Sequence, residues 1–180
     1  MDKASLRKQM KQLKSELSEQ QKLDAEINAL NLLGKCLVFQ NAKNVLVYNS
    51  LPDEIRTNLL LETWGERKNL FLPRVNGGDL DILAYSKDAM QKGAFDIYEP
   101  TGESLHDVRE MDLIVVPGVA FDLNGNRLGR GKGYYDKLLC KATCPKLGYI
   151  YDLQLLDEIP AEGHDVPMNL IVTDKRIISL

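Results

Sequence analysis

The chain has 180 residues, of which 44% are hydrophobic and 27% are charged, and its net charge is −3 at neutral pH. These values are typical of a globular domain and exclude nucleic-acid binding by overall charge attraction, so we expect no nucleic-acid partner. No apolar run approaches the roughly 20 residues that cross a bilayer, and the charged N-terminus lacks a signal-peptide segment, which predicts a cytoplasmic protein without a membrane partner.

The first forty residues predict two helices. Ser18 and Gln21 have the spacing of a capping box, which ends the first helix and begins the second. The apolar face of the first is predicted from Leu6, Met10, Leu13 and Leu17, and that of the second from Leu23, Ile27, Leu30, Leu33 and Leu37. Beside the first face lies a basic stripe of Lys3, Arg7, Lys11 and Lys14.

From residue 45 onward, short apolar runs alternate with polar segments. Strands are predicted at 45–49, 69–73, 80–85, 112–117, 146–151 and 170–173. Residues 53–66 predict a helix that stops at Gly65, and another helix should begin near Gly133 and continue through Leu139. This alternation predicts a three-layer, doubly wound α/β fold, with a mostly parallel sheet and helices on both faces. We expect one domain over 1–180, with helical residues 1–40 packed on the sheet, and a monomer because no long apolar seam is left over.

Cysteines and histidines do not indicate a metal or disulfide framework. Cys36, Cys140 and Cys144 show no paired metal spacing, and their odd number argues against disulfide pairing. The two histidines are too few for a histidine-rich zinc site.

The most informative segment is GNRLGRGKGYYDKLL, residues 125–139, which combines four glycines with Arg127, Arg130 and Lys132. It follows a predicted buried strand and enters a predicted helix, which is where ligands bind in parallel α/β sheets. Glycine backbone N–H groups can converge on phosphate oxygens, and the cations add full charges. The segment fits neither the Walker motif nor the dinucleotide fingerprint. A flexible surface loop with solvated charges is the alternative, and we favour a phosphate site.

The run GNRLGRGKGYYD, preceded by VVPGVAFD, closely resembles the signature of 5-formyltetrahydrofolate cyclo-ligases, also called methenyltetrahydrofolate synthetases. Further matches occur in the family's order along nearly the whole chain. They are a K-x-x-x-R pair at Lys3 and Arg7, YNSLPDEIRT (48–57), LPR (72–74), FDIYEP (95–100) and HDVPMNLIVTDKRII (164–178).

This resemblance implies an ATP- and magnesium-dependent ligase that converts 5-formyltetrahydrofolate into 5,10-methenyltetrahydrofolate and releases ADP and phosphate. The formyl oxygen would be phosphorylated by ATP, and N10 of the folate would then close the ring and expel phosphate. Such chemistry needs positioned anionic ligands and charge stabilisation, so a catalytic triad is not required.

The resemblance also implies a role for individual residues. Lys132 and Arg130 would be the catalytic cations at the transferring phosphoryl group. Nucleotide binding would involve Lys3, Arg7, Arg127, Leu128, Gly129, Arg130, Gly131, Lys132, Gly133, Tyr134 and Tyr135. Folate binding would involve Asn49, Glu54, Phe95, Arg130 and Tyr134. By contrast, Lys11 and Lys14 match no family position and are interpreted as a solvated basic face.

The implied magnesium ligands are Asp136 and Asp165, with Asp174 as the alternative to Asp165. From the residues alone, Asp136 is a carboxylate that favours a helix N-terminus, and Glu54 has the same interpretation. Two other functions stay open. One is a different phosphate-using α/β enzyme, and the other is a non-catalytic module that binds nucleotide or folate.

Overall fold

The computed structural model describes residues 2–93, 96–163 and 165–180. The helices are α1 (Lys3–Ser15), α2 (Glu19–Lys35), α3 (Leu37–Asn41), α4 (Asn58–Trp64) and α5 (Tyr134–Leu139). The first half of the chain holds the strands β1 (Asn44–Leu46), β2 (Asn69–Asn76), β3 (Asp79–Ala84), β4 (Met90–Lys92) and β5 (Tyr98–Pro100). The second half holds β6 (Leu113–Val116), β7 (Ala120–Asp122), β8 (Arg127–Leu128), β9 (Lys146–Tyr149), β10 (Leu155–Leu156), β11 (Leu170–Val172) and β12 (Ile177–Ser179).

The main sheet has seven strands in the order β12-β11-β9-β6-β1-β2-β3. Its five inner strands pair in parallel, whereas the edge strands β3 and β12 pair antiparallel to their neighbours. This confirms the predicted mostly parallel sheet. A three-stranded sheet of β10, β7 and β8 and a hairpin of β4 and β5 lie beside it.

Both faces of the main sheet are covered by helices. Successive strand residues point to opposite sides of a sheet, so neighbouring residues show which helices pack on each face. Val45 packs in one apolar cluster with Ala29 and Leu33 of α2, whereas the adjacent Leu46 packs in another with Leu138 and Leu139 of α5. Helices α2, α3 and α4 therefore cover one face and α5 covers the other. The predicted three-layer α/β fold is confirmed.

Helix α1 packs on the small sheet. Leu6 and Met10 form a third buried cluster with Val119, Ala120 and Leu128, which lie along β7 and β8. Because β8 leads directly into the glycine-rich segment, this packing brings α1 alongside that segment. That the whole chain forms one domain stays a prediction.

The predicted apolar face of the second helix was wrong in part, because Leu33 is buried and Leu30 packs against the same cluster, whereas the other predicted residues are exposed. The capping box of Ser18 and Gln21 is confirmed, but α2 turns Ala25 and Ala29 toward the sheet and leaves Leu23 and Ile27 about 40% exposed (39% and 41%). Small side chains let the helix lie close to the strands. The helix also ends at Lys35, because Cys36 is extended, and Leu37 begins α3 with 70% of its surface exposed.

The helix predicted over 53–66 begins later than expected, at Asn58. The backbone N–H groups of Ser50 and Thr57 each donate to the other residue's hydroxyl, and Thr57 Oγ1 donates to the carbonyl oxygen of Tyr48. These bonds close residues 50–57 into a loop, so Glu54 lies in a turn after β1 and not in a helix. No helix among the described residues is long and apolar enough to cross a membrane.

Candidate active site

A cavity of about 430 Å³ opens at the carboxyl ends of β1, β2 and β6. This volume lies within the range of about 300–1,000 Å³ that is common for ligand pockets, and the position is the one predicted for a parallel α/β sheet. Its lining includes most of the predicted site residues, namely Asn49, Glu54, Arg127, Gly129, Arg130, Gly131, Lys132, Gly133, Tyr134, Tyr135 and Asp136. The other walls are largely apolar and include Val75, Leu80 and Ile97.

The glycine loop, residues 129–133, forms the cationic wall of this cavity. Gly133 precedes α5 in a left-handed conformation with φ of 73°, which a side chain would strain. Lys132 is exposed on the loop and lines the cavity. Helix α5 has only six residues, so charge at the loop comes mainly from side chains and not from the helix dipole.

Arg127 packs against the glycine loop on the side of its buried guanidinium group. Its side chain is only 7% exposed, and its Nη2 donates to Asp136 Oδ1 at 2.5 Å. Gly129 lies directly against this guanidinium, because a Cβ at residue 129 would come within 2.9 Å of Arg127 Nη1. Leu128, which was predicted to contact nucleotide, is buried against α1 and does not line the cavity. Arg127 and Leu128 thus fix the base of the loop.

Arg130 joins the loop to the turn after β1. Its Nη2 donates to Asp53 Oδ1 at 2.6 Å, and its Nε and Nη2 donate to Glu54 Oε1 at 3.2 and 3.0 Å. Glu54 is buried, and its Oε2 accepts from the backbone N–H of Leu51 at 2.9 Å. Two of the five residues predicted to bind folate, Arg130 and Glu54, are therefore in direct contact. Asp53, which sequence reasoning missed, completes this ionic group.

The prediction that the Lys14 side chain is solvated was wrong. Lys11 is exposed as expected, but the Lys14 side chain is only 2% exposed and its Nζ donates to Asp53 Oδ2 at 2.8 Å. Leu13 is the residue turned outward, at 37% exposure, because α1 rotates Lys14 toward the turn after β1. Burial alone would raise the pKa of Asp53, but hydrogen bonds from Arg130 and Lys14 outweigh it and lower that pKa.

The other two basic residues of α1 go to different partners. Arg7 Nε donates to the carbonyl oxygen of Gly129 at 2.8 Å, so Arg7 lies against the glycine loop. Lys3 Nζ instead lies 2.9 Å from Glu162 Oε1 and 3.5 Å from Asp165 Oδ2. Lys3 and Arg7, both predicted to bind nucleotide, therefore have different partners in this arrangement, and Lys3 faces carboxylates.

The predicted metal carboxylates are not equivalent. Asp136 is about half exposed (53%) and lines the cavity, whereas Asp165 contacts Lys3 and does not line it. Asp174 is also outside the cavity lining and accepts from the backbone N–H of Asp152 at 2.6 Å. Among the described residues, no group of three or more His, Cys, Asp or Glu side chains could hold a metal ion. Magnesium commonly binds one or two carboxylates together with phosphate oxygens and water. A single carboxylate at the cavity, such as that of Asp136, is therefore compatible with this ion.

The tyrosine and asparagine residues predicted for the site line the cavity, but some of their polar groups bind other parts of the chain. Tyr134 is half-buried, lines the cavity, and donates to the carbonyl oxygen of Gly77 at 3.4 Å. The Tyr135 hydroxyl is buried without a hydrogen-bond partner in the described part of the chain, and burial raises its pKa. Asn49 uses its amide N–H to bind the carbonyl oxygen of Tyr98 at 2.9 Å. Phe95, predicted to stack on the folate ring, lies outside the described residues.

Glu99 is a second residue that sequence reasoning missed. It is 5% exposed, lines the apolar side of the cavity, and accepts from the backbone N–H of Val75 at 3.2 Å. The motif FDIYEP contains it, so the signal was an acidic residue within a short strand, β5.

Known proteins are similar to this chain over most of its length. The model of the 5-formyltetrahydrofolate cyclo-ligase family matches residues 1–174. The 5-formyltetrahydrofolate cyclo-ligase of Haemophilus influenzae is 33% identical over 91% of this chain and 92% of its own length, and the mouse enzyme is 30% identical over 94% and 92%.

Solved structures show the same similarity. The 5,10-methenyltetrahydrofolate synthetase of Aquifex aeolicus is 33% identical, with a TM-score of 0.91 over 99% of this chain and 93% of that one. The synthetase of Mycoplasma pneumoniae is 25% identical, with a TM-score of 0.78 over 97% and 100%. The chain belongs to the 5-formyltetrahydrofolate cyclo-ligase family.

Proposed function

We propose that this chain uses ATP and Mg²⁺ to cyclise 5-formyltetrahydrofolate to 5,10-methenyltetrahydrofolate, with release of ADP and phosphate. The observation that carries the proposal is one cavity in which a cationic glycine loop faces a largely apolar wall. A phosphate-bearing ligand suits the first surface, and the faces of a ring-containing ligand such as a folate suit the second. Family membership agrees with this assignment of substrates.

The nucleotide phosphates would lie along the glycine loop. Exposed Lys132 and Arg130 both line the cavity and would contact the phosphoryl group that is transferred. The N–H groups around Gly131 and Gly133 can approach phosphate oxygens without a Cβ in the way. Arg7 and Arg127 would act mainly by holding this loop, since both already contact it within the protein.

The reduced folate would occupy the apolar side, with its formyl group toward Arg130. Glu54 lies beside Arg130 in the cavity and presents a carboxylate that can accept from N–H donors of the reduced pterin. Tyr134 lines the same space and offers an aromatic face. Asn49 and Phe95 stay proposed folate contacts.

The reaction needs little covalent participation by side chains. The formyl oxygen attacks the γ-phosphorus of ATP, ADP leaves, and the formyl carbon becomes susceptible to attack. N10 of the folate then bonds to that carbon, loses its proton, and the C–O bond breaks to release phosphate. Lys132 and Arg130 stabilise the negative charge that is spread over the phosphoryl oxygens during transfer. The loop and the apolar wall hold the two substrates in contact.

Asp136 is the residue that would hold Mg²⁺, because its exposed carboxylate lies on the cavity beside the loop. The ion would supply neutralisation of charge on the ATP phosphates. Asp165 stays a proposed second ligand. We also propose that residues 1–180 act as one domain, since α1 contacts the site through Arg7 and Lys14. That the protein is a monomer stays a separate proposal.

A steady-state assay tests the function. Methenyl product forms a chromophore, so we expect its absorbance to rise only when formyl folate, ATP and Mg²⁺ are all present. Turnover of another phosphate compound without folate would instead support a different phosphate-using enzyme. Tight binding of both substrates without product would support a non-catalytic binding module.

A further inference from the structure

Lys14 is a charged side chain at a position where packing alone would favour an apolar one. It lies on α1 one turn after Met10, and its side chain is 2% exposed. A buried ion pair adds little net stability compared with apolar residues of the same size, because desolvation offsets the attraction. A gain in stability therefore does not explain why a lysine occupies this position, and its ammonium contacts indicate a functional role.

The partner of Lys14 divides its two oxygens between two cations. Asp53 Oδ2 accepts from Lys14 at 2.8 Å, and Asp53 Oδ1 accepts from Arg130 at 2.6 Å. Lys14 does not line the cavity itself, but its partner Asp53 does, so a single ionic contact joins Lys14 to the cavity wall. It can influence Arg130 only through Asp53.

The charges of this group balance in the absence of ligand. Lys14 and Arg130 are the cations, and Asp53 and Glu54 are the carboxylates. When Arg130 turns to an anionic ligand, it must give up some of its contact with these carboxylates. Lys14 stays bound to Asp53 and keeps that carboxylate paired, which reduces the cost of the exchange.

Lys14 and Arg130 also differ in freedom to move. Lys14 projects from a helix that packs on β7 and β8, whereas Arg130 is 40% exposed and lies between Gly129 and Gly131. Arg130 can thus change partners without displacing a helix or strand.

We propose that Lys14 is a positioning residue that neutralises Asp53 and thereby leaves Arg130 able to transfer to the phosphate of a bound nucleotide. This inference rests on the proposed function, because it assumes that the ligand at Arg130 is a polyphosphate. Without Lys14, the full charge of Asp53 would hold Arg130 in the ligand-free position. Lys14 would then matter only while residue 53 carries a negative charge.

The experiment is a double-mutant cycle of Lys14→Met and Asp53→Asn, with Lys11→Met as a control that removes an exposed charge from the same helix. Affinities for ATP and for inorganic tripolyphosphate are measured by calorimetry, with thermal melting of every variant. We expect Lys14→Met to weaken both affinities about 3- to 10-fold, the usual size of coupling through a shared ionic partner. Combining it with Asp53→Asn should restore them, and Lys11→Met should leave them unchanged.

A merely structural role gives a different pattern. The double variant would then bind as weakly as Lys14→Met, or affinity would follow the melting temperature, and either result overturns the proposal. If Lys14→Met does not fold, equal affinities of Asp53→Asn and of the double variant are still required.

Product formation is measured on the same samples, which separates the two proposals. A wild type that binds ATP without forming methenyl product contradicts the proposed function, while the affinity cycle still decides the role of Lys14. A wild type that binds neither ATP nor tripolyphosphate overturns the role of Lys14 as well.

Discussion

Arg7 on α1 holds the glycine loop through Gly129, because its Nε donates to the carbonyl oxygen of that residue at 2.8 Å. The first helix is thus joined to the segment proposed to bind phosphate, although 122 positions separate the two residues in the sequence. A side chain that fixes the backbone of a glycine-rich loop reduces the entropy that the loop loses when a ligand binds.

Replacement of Arg7 should therefore loosen the loop. We expect Arg7→Ala to raise the KM for ATP about 5-fold, as expected for loss of one hydrogen bond worth about 1 kcal/mol. Hydrogen exchange at residues 129–133 should become faster in the ligand-free protein. Lys8→Ala, which removes an exposed charge one position along the helix, is the control. Unchanged exchange in Arg7→Ala would show that the contact does not hold the loop.

Replacement of Lys132 should lower kcat more than it affects the KM for ATP or the melting temperature. A charge-assisted contact with phosphate is worth roughly 1.5–3 kcal/mol, so Lys132→Ala should lower kcat/KM about 10- to 100-fold. If Lys132 contacts the transferring group, much of that loss falls on kcat, whereas a contact with the remaining phosphates would raise the KM for ATP. Lys132→Arg should restore little activity, because a planar fork does not replace a compact ammonium group.

The melting temperature of Lys132→Ala should stay near that of wild type, since the residue is exposed on a loop. Lys141→Ala, an exposed lysine after α5, serves as the charge control. A fully active Lys132→Ala protein would contradict the central role of the loop.

Glu54 should affect folate more than ATP. Glu54→Gln keeps the side-chain shape but removes the charge that faces Arg130. We expect a rise in the KM for formyl folate or a fall in kcat, with little change in the KM for ATP, measured with each substrate varied in turn. Glu62→Gln, exposed on α4, is the matched control. Loss of ATP binding alone would assign Glu54 to the other substrate.

The fold could be predicted further than the site. Runs such as LIVV of β6 are buried on both faces and therefore uniformly apolar, so the parallel sheet was visible in the sequence. The glycine loop was visible because it combines backbone freedom with charge. By contrast, the contact of Lys14 with Asp53 depends on how α1 rotates against a loop 39 positions away, which no local pattern records. Alanines also gave too weak an apolar signal to identify the buried face of α2.

The stability of the protein should fall in acid partly because of Asp53. Its pKa is lowered from the ordinary value of 3.8, with burial opposed by hydrogen bonds from Arg130 and Lys14. A lowered pKa in the folded state stabilises the protein above the unfolded-state pKa, and this contribution is lost as the pH falls toward the folded-state value.

Asp53→Asn should therefore melt at a lower temperature than wild type at pH 7, and the difference should shrink as the pH falls below about 4. Melting curves recorded between pH 7 and pH 3 test this prediction. A difference that stays constant over that range would show that charge on Asp53 does not produce the stabilisation.

Asp136 and Asp165 are predicted to differ in their effect on magnesium, because only Asp136 lines the cavity. Asp136→Asn should raise the Mg²⁺ concentration for half-maximal rate at least about 10-fold, since even hydrogen-bond partners of metal ligands commonly contribute that much. The Arg127 guanidinium would also lose its charged partner, so the melting temperature without metal should fall.

Asp165→Asn is the informative comparison. It removes one of the two carboxylates near Lys3 and leaves Glu162 at 2.9 Å. If Asp165 acts only through Lys3, the Mg²⁺ dependence should stay close to that of wild type, and the change should appear in the KM for ATP. Magnesium titrations of both variants at saturating ATP and folate separate these effects. An equal shift in the Mg²⁺ requirement of both variants would instead identify Asp165 as a second ligand, and Asp165 would then have to leave Lys3 when the metal binds.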